Sequence, residues 1–92
     1  MSKDSETRES LMPEVTFTHF LISLNTSALF HLGDLPDPVT GQTKQDLVLA
    51  MHTIDTLVLL QEKTKGNLSA EEANMLDKFI HDLKMRYVAV QG

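Results

Sequence analysis

Three stretches of the chain repeat apolar residues at helical spacing, and glycine- or proline-bearing segments separate them. In the first, Phe17, Phe20, Leu21, Leu24, Ala28 and Leu32 fall within an arc of roughly 120° when drawn at 100° per residue, the width of a core-facing stripe. Its length and period favour a helix over a strand, although Phe17 and Thr18 are β-formers. Thr16 stands where an N-cap belongs, and Gly33 where a left-handed residue ends a helix. In the second stretch Leu47, Ala50, Met51, Ile54, Leu57 and Val58 share a face. Its predicted limits are about Lys44 and Lys65, with Thr43 as cap, Asp46 three residues on as the capping-box partner, and Gly66 as the stop. The third opens on Ser69 and Glu72, a full capping box. Ala73, Leu76, Phe79, Ile80, Leu83 and Tyr87 form its stripe. Glu71 and Glu72 in its first turn, with Lys84 and Arg86 near its end, suit the helix dipole. Asp82 precedes Arg86 by four residues, the favourable order for an ion pair along the helix, and fraying is expected around Val88.

Only Gly66 to Ser69 join the second and third helices, so the two are predicted to be antiparallel neighbours. The first helix then has to lie across their groove. The predicted architecture is all-α: a three-helix domain over residues 15–92, preceded by a flexible charged tail over 1–14. The tail carries Lys3, Asp4, Glu6, Arg8 and Glu9 among serines and threonine, a composition that buries little. Leu11 and Met12 are its two residues suited to docking. The connection over 33–43 reads GDLPDPVTGQT, longer than most helix–helix links. Its prolines, aspartates and glycines are turn formers for separate reasons, so an ordered loop is expected.

Composition narrows the class. The chain has 92 residues, 41 % of them apolar and 23 % charged, which is ordinary for one globular domain. It has no cysteine, which suits a reducing compartment. No apolar run reaches the length of a membrane span, no stretch reads as a secretory signal, and a cytoplasmic location is expected. The net charge of −5 and the scatter of eight basic residues disfavour nucleic acid. A membrane-surface helix would need a lysine-rich polar face, which the first helix lacks.

The first helix carries no formal charge from Val15 to Gly33. Beyond its core arc, Ile22 and Leu29 form a second apolar stripe about 100° away, and Phe30 lies on a third side. The second helix adds Val48 with Leu59 on one flank and Leu49 with Leu60 on another. Three short helices cannot cover one another on every side, and a helix apolar all round is normally buried. These flanks are expected to meet a second copy of the chain. The predicted interface residues are Ile22, Leu29, Phe30, Leu49 and Leu60, with Ile22 and Leu29 placed off the core arc. Ser23 and Ser27, four residues apart, are small enough to let another helix approach, with two solvent-facing serines as the equal alternative, since the spacing is a weak signal in water.

The residues that carry chemistry do not assemble into a known arrangement. Ser27 and His31 are one turn apart without a third orienting group or an oxyanion hole. Lys63-Thr64-Lys65-Gly66 is neither a phosphate loop nor a catalytic K-T-G word and reads as a basic helix end. No two of His19, His31, His52 and His81 stand three or four apart. His52 with Asp55 and Asp77 with His81 are one turn apart, and counting from the hairpin turn puts the pairs at similar heights, where four metal ligands would gather if the flanks met. Solvent-facing neighbours is the simpler reading. His31, inside the apolar arc and one residue from the helix end, suits a capping role. No catalytic, cofactor-binding or metal residue is assigned, and no cofactor is implied.

The words ALFHLG at Ala28 to Gly33, Pro36-Asp37-Pro38, Thr40-Gly41-Gln42-Thr43, Ile54-Asp55, QEKTKGNL at Gln61 to Leu68, and Arg86-Tyr87 occur together. In that combination the chain resembles a family of small bacterial proteins known only as a domain of unknown function. The likeness covers about residues 15–88. It implies a small all-α domain and brings no activity, cofactor or catalytic residue. The expected function is a non-enzymatic, self-associating interaction module, with docking of a further protein as an extension. The alternative is a metal- or small-molecule-dependent activity at a subunit interface, drawn from the loop beside His31 and the two His/Asp pairs. Deleting residues 1–12 is expected to move the thermal midpoint by no more than a few degrees in a circular dichroism melt. A truncated chain that fails to fold would place Leu11 and Met12 in the core.

Overall fold

The computed structural model describes residues 14–91, so the charged tail and the docking residues Leu11 and Met12 lie outside the described part. Three helices follow in order: α1 at Phe17–Leu32, α2 at Leu47–Lys63 and α3 at Ala70–Gln91. The described residues contain no strand.

Each helix boundary has a local cause. Thr16 caps α1, its hydroxyl accepting from the His19 N–H at 3.0 Å. Gly33 ends it at φ +84°, donating to the Phe30 carbonyl at 3.0 Å while the Asp34 N–H donates to the Leu29 carbonyl at 2.9 Å. This pair of bonds is a Schellman motif. The start of α2 departs from expectation. Its cap is Asp46, not Thr43, and Asp46 Oδ1 accepts from the Leu49 N–H at 3.0 Å. The reason is tertiary: the Asp46 N–H donates to the His31 carbonyl at 2.7 Å, which holds residue 46 in extended backbone beside the end of α1. Thr64 closes α2 with an N–H bond to the Leu60 carbonyl, and Gly66 makes the turn at φ +86°. The predicted capping box opens α3. Ser69 Oγ accepts from the Glu72 N–H at 3.1 Å, and Glu72 Oε1 accepts from the Ser69 N–H at 2.8 Å. The helix then continues to Gln91, past the expected fraying point at Val88.

Every helix packs against the other two. Each gives three apolar side chains to one core: Leu21, Ala28 and Leu32 from α1, Ala50, Ile54 and Leu57 from α2, and Leu76, Ile80 and Leu83 from α3. Thr53 is also buried, and its hydroxyl donates to the Leu49 carbonyl at 3.0 Å. Among the described residues no buried side-chain oxygen or nitrogen lacks a partner. Four assignments of faces change. Phe20 was placed in the core arc but stands 48 % exposed, because two neighbouring helices bury a stripe centred on Leu21, Ala28 and Leu32 that is too narrow to reach it. Ala73 is likewise exposed. Leu29, placed off the core arc, packs against the core, and so does Leu60.

One end of the bundle gathers several elements. The Gln45 side-chain amide donates to the Leu32 carbonyl at 3.3 Å, beside the Asp46–His31 bond. Arg86, near the end of α3, pairs with Asp34 at 3.1 Å rather than with Asp82. The long guanidinium stem reaches across to the loop instead of lying along its own helix. It is the one ion pair among the described residues, and partly exposed pairs of this kind contribute up to about 1 kcal/mol. Leu76→Ala is expected to cost about 2–5 kcal/mol in denaturant unfolding, as for a fully buried leucine truncated in place. Leu29→Asp is expected to lose stability as well, since it sets a carboxylate against the core margin; the change shows as a lowered denaturation midpoint.

Candidate functional site

The end of α1, the loop after it and the first turn of α2 enclose an open groove of about 460 Å³. Phe30 on α1, Leu35 and Pro38 in the loop, and Leu49 on α2 make its apolar wall. Ser27, His31, Asp37, Gln42, Lys44 and Asp46 supply the polar parts.

The loop is built to hold this shape. Asp37 Oδ1 accepts from the Val39 N–H at 2.7 Å and from the Thr40 N–H at 3.3 Å, an Asx-type turn. The Asp37 backbone closes the same segment, its N–H donating to the Gln42 carbonyl and its carbonyl accepting from the Gly41 N–H, both at 2.8 Å. Gly41 sits at φ +71°, where a side chain would be strained. The expected ordered loop is therefore present. Both groove carboxylates hold backbone amides: Asp37 within the loop, and Asp46 at the start of α2. With Lys44 alongside them, the rim carries charge of both signs around an apolar floor.

The five expected interface residues divide. Phe30 and Leu49 meet in the groove, with Phe30 half-buried and Leu49 46 % exposed. Ile22 is 42 % exposed and takes no part in the groove. Leu29 and Leu60 are drawn into the margin of the core. Leu35 and Pro38 were missed as wall residues. Their only sequence signal was an apolar side chain set among prolines in a loop otherwise made of turn formers.

The His/Asp pairs stay apart. Gln61 Nε2 donates to Asp77 Oδ1 at 3.4 Å, whereas His52 and Asp55 border a shallow groove with Met51 and Tyr87. On α3, Asp77 and Tyr87 are separated by about 15 Å of helix rise. His81, the nearer member of its pair, is about 9 Å of rise from Tyr87, so the two pairs have different neighbours. Among the described residues no three His, Asp or Glu side chains are grouped to hold a metal ion. None of the described helices is long and apolar enough to cross a membrane.

The family model for a domain of unknown function, DUF1844, matches residues 14–89. The chain belongs to the DUF1844 family. No curated protein and no solved structure matches it. The matched span of this DUF1844 domain takes in α1, α2, nearly all of α3 and every groove residue. In the DUF1844 domain, Asp37→Ala is expected to speed hydrogen exchange at the Val39 and Thr40 amides by at least severalfold while the thermal midpoint shifts little. Unchanged exchange would mean that the prolines alone hold the loop.

Proposed function

We propose that the domain is a non-enzymatic helical interaction module that associates with itself. The observation that carries this reading is the groove, where Phe30, Leu35, Pro38 and Leu49 offer an apolar wall that the monomer leaves open. Water-facing apolar side chains grouped in this way favour contact with another protein surface. The bundle already has a complete core, so a partner would cover the groove without being needed for folding. The lack of cysteine supports a reducing, cytoplasmic setting, and the net charge of −5 supports a partner other than nucleic acid.

The test is light scattering of the purified chain over a concentration series. A dimer mass at high micromolar concentration is expected, and a monomer throughout overturns the reading. Leu49→Asp is expected to return the chain to monomers with its helical circular dichroism retained, because Leu49 lies outside the core. The groove volume also falls within the range of small-molecule sites, which favours the alternative of a ligand- or metal-dependent activity. Elemental analysis separates the two: zinc or iron at one atom per chain or dimer would displace the non-enzymatic reading.

A further inference from the structure

Phe20 is a large side chain that α1 leaves outside the core. It is 48 % exposed, and its aromatic neighbour is Phe17, tilted at 6.5 Å between ring centroids. Phe20, Ser23, Ser27 and Phe30 succeed one another at spacings of three and four, so they lie along one side of the helix. The groove opens on that same side at its C-terminal half, with Ser27 and Phe30 on one wall and Leu49 on the other. One side of α1 therefore carries a protruding ring toward its start and an apolar recess toward its end.

A two-fold axis matches such a protrusion to such a recess and closes the assembly at two copies. We propose that α1 pairs antiparallel with α1 of a second copy, each Phe20 seated in the other's groove against Phe30 and Leu49. This rests on the self-association proposed above and names its surface. The axis falls at the level of Asn25, midway between Phe20 and Phe30, and sets Ser23 of one copy opposite Ser27 of the other. Charge fits the pairing. With no Asp, Glu, Lys or Arg between Phe17 and Leu32, the two α1 helices bring no like charges of their own together, and their dipoles run in opposite directions. Area sets its strength. A strip along a 16-residue helix, about 24 Å long and 10 Å wide, falls short of the roughly 800 Å² per partner of a standard interface. The groove walls from the loop and α2 add to it, and the result is a small, concentration-dependent contact. Ile22 follows Phe20 by two residues and points to nearly the opposite side, so it is outside this interface.

The chain has no cysteine, so introduced thiols are the only ones present. Ser23→Cys and Ser27→Cys chains are prepared separately, mixed and mildly oxidised. Disulfide-linked dimers holding one chain of each kind are expected from the mixture, in at least about tenfold excess over those from either chain alone, since antiparallel pairing about Asn25 brings only unlike positions within disulfide reach. Phe20→Asp is expected to raise the dimer dissociation constant at least about 30-fold, the size of a lost anchor, while Ile22→Asp leaves it unchanged. Circular dichroism on both variants confirms that the helices persist. A dimeric wild type that gives no mixed disulfide, or that Ile22→Asp dissociates and Phe20→Asp does not, overturns this pairing and leaves self-association standing. A monomeric wild type overturns both.

Discussion

Three short helices sharing one core can each give it only a single stripe, and most features of this molecule descend from that limit. The stripe on α1 is centred on Leu21, Ala28 and Leu32, and the stripes on α2 and α3 meet it with three apolar side chains each. Nothing in such a bundle covers the far side of any helix. The apolar residues of α1 and α2 that exceed one stripe must therefore find secondary burial or remain in water. Leu29 and Leu60 take the first course by leaning on the core margin. Phe20, Ile22 and Leu49 take the second, each more than two-fifths exposed.

The same limit explains the importance of one end of the bundle. The 17-residue α2 packs on the 16-residue α1 across a long connection. Backbone bonds absorb the excess. The Schellman turn at Gly33 directs the chain out of α1, the Asp37 turn folds the loop on itself, and the bond from Asp46 to the His31 carbonyl brings it back. The loop, held away from the helix axes, leaves the groove open between its own apolar residues and Phe30. The groove thus arises from how the reversal is made. It does not compete with the core for side chains, and a change on its wall leaves the core intact.

What could be read from the chain beforehand follows the range of the interactions concerned. The caps at Thr16, Gly33 and Ser69 with Glu72 were legible because each is satisfied within five residues of itself. The start of α2 was misplaced because Asp46 is selected over Thr43 by a carbonyl on another helix. Arg86 was assigned the wrong partner for a similar reason: Asp82 is near in sequence, and Asp34 is near only in space. The core leucines were legible from period, whereas Phe20 was not excluded from the core, because stripe width depends on how many neighbours a helix has. At the groove, Phe30 and Leu49 were each marked as surplus, but their meeting depends on the path of a loop that periodicity does not describe. Thr53 escaped notice as a core residue since its hydroxyl returns to its own helix at Leu49, a bond invisible in a hydropathy pattern.

The folded monomer has an apolar core of its own, and this bears on how the proposed partner would act. An obligate dimer lacks a stable monomer, because its core is completed only by the second chain. This bundle buries nine apolar side chains within one copy and leaves no buried side-chain polar atom unpaired among the described residues. The partner proposed for the groove would gain its energy from apolar surface already displayed by the folded monomer, with a loop already ordered by its own hydrogen bonds. Preorganisation of this kind lowers the entropic cost of binding without enlarging the contact. An association through such a surface, as proposed above, would be reversible, and a partner that binds only the folded chain would also stabilise the fold by mass action. The uncharged length of α1 would lose little solvation if covered and, left uncovered, remains held by the core stripe on its other side.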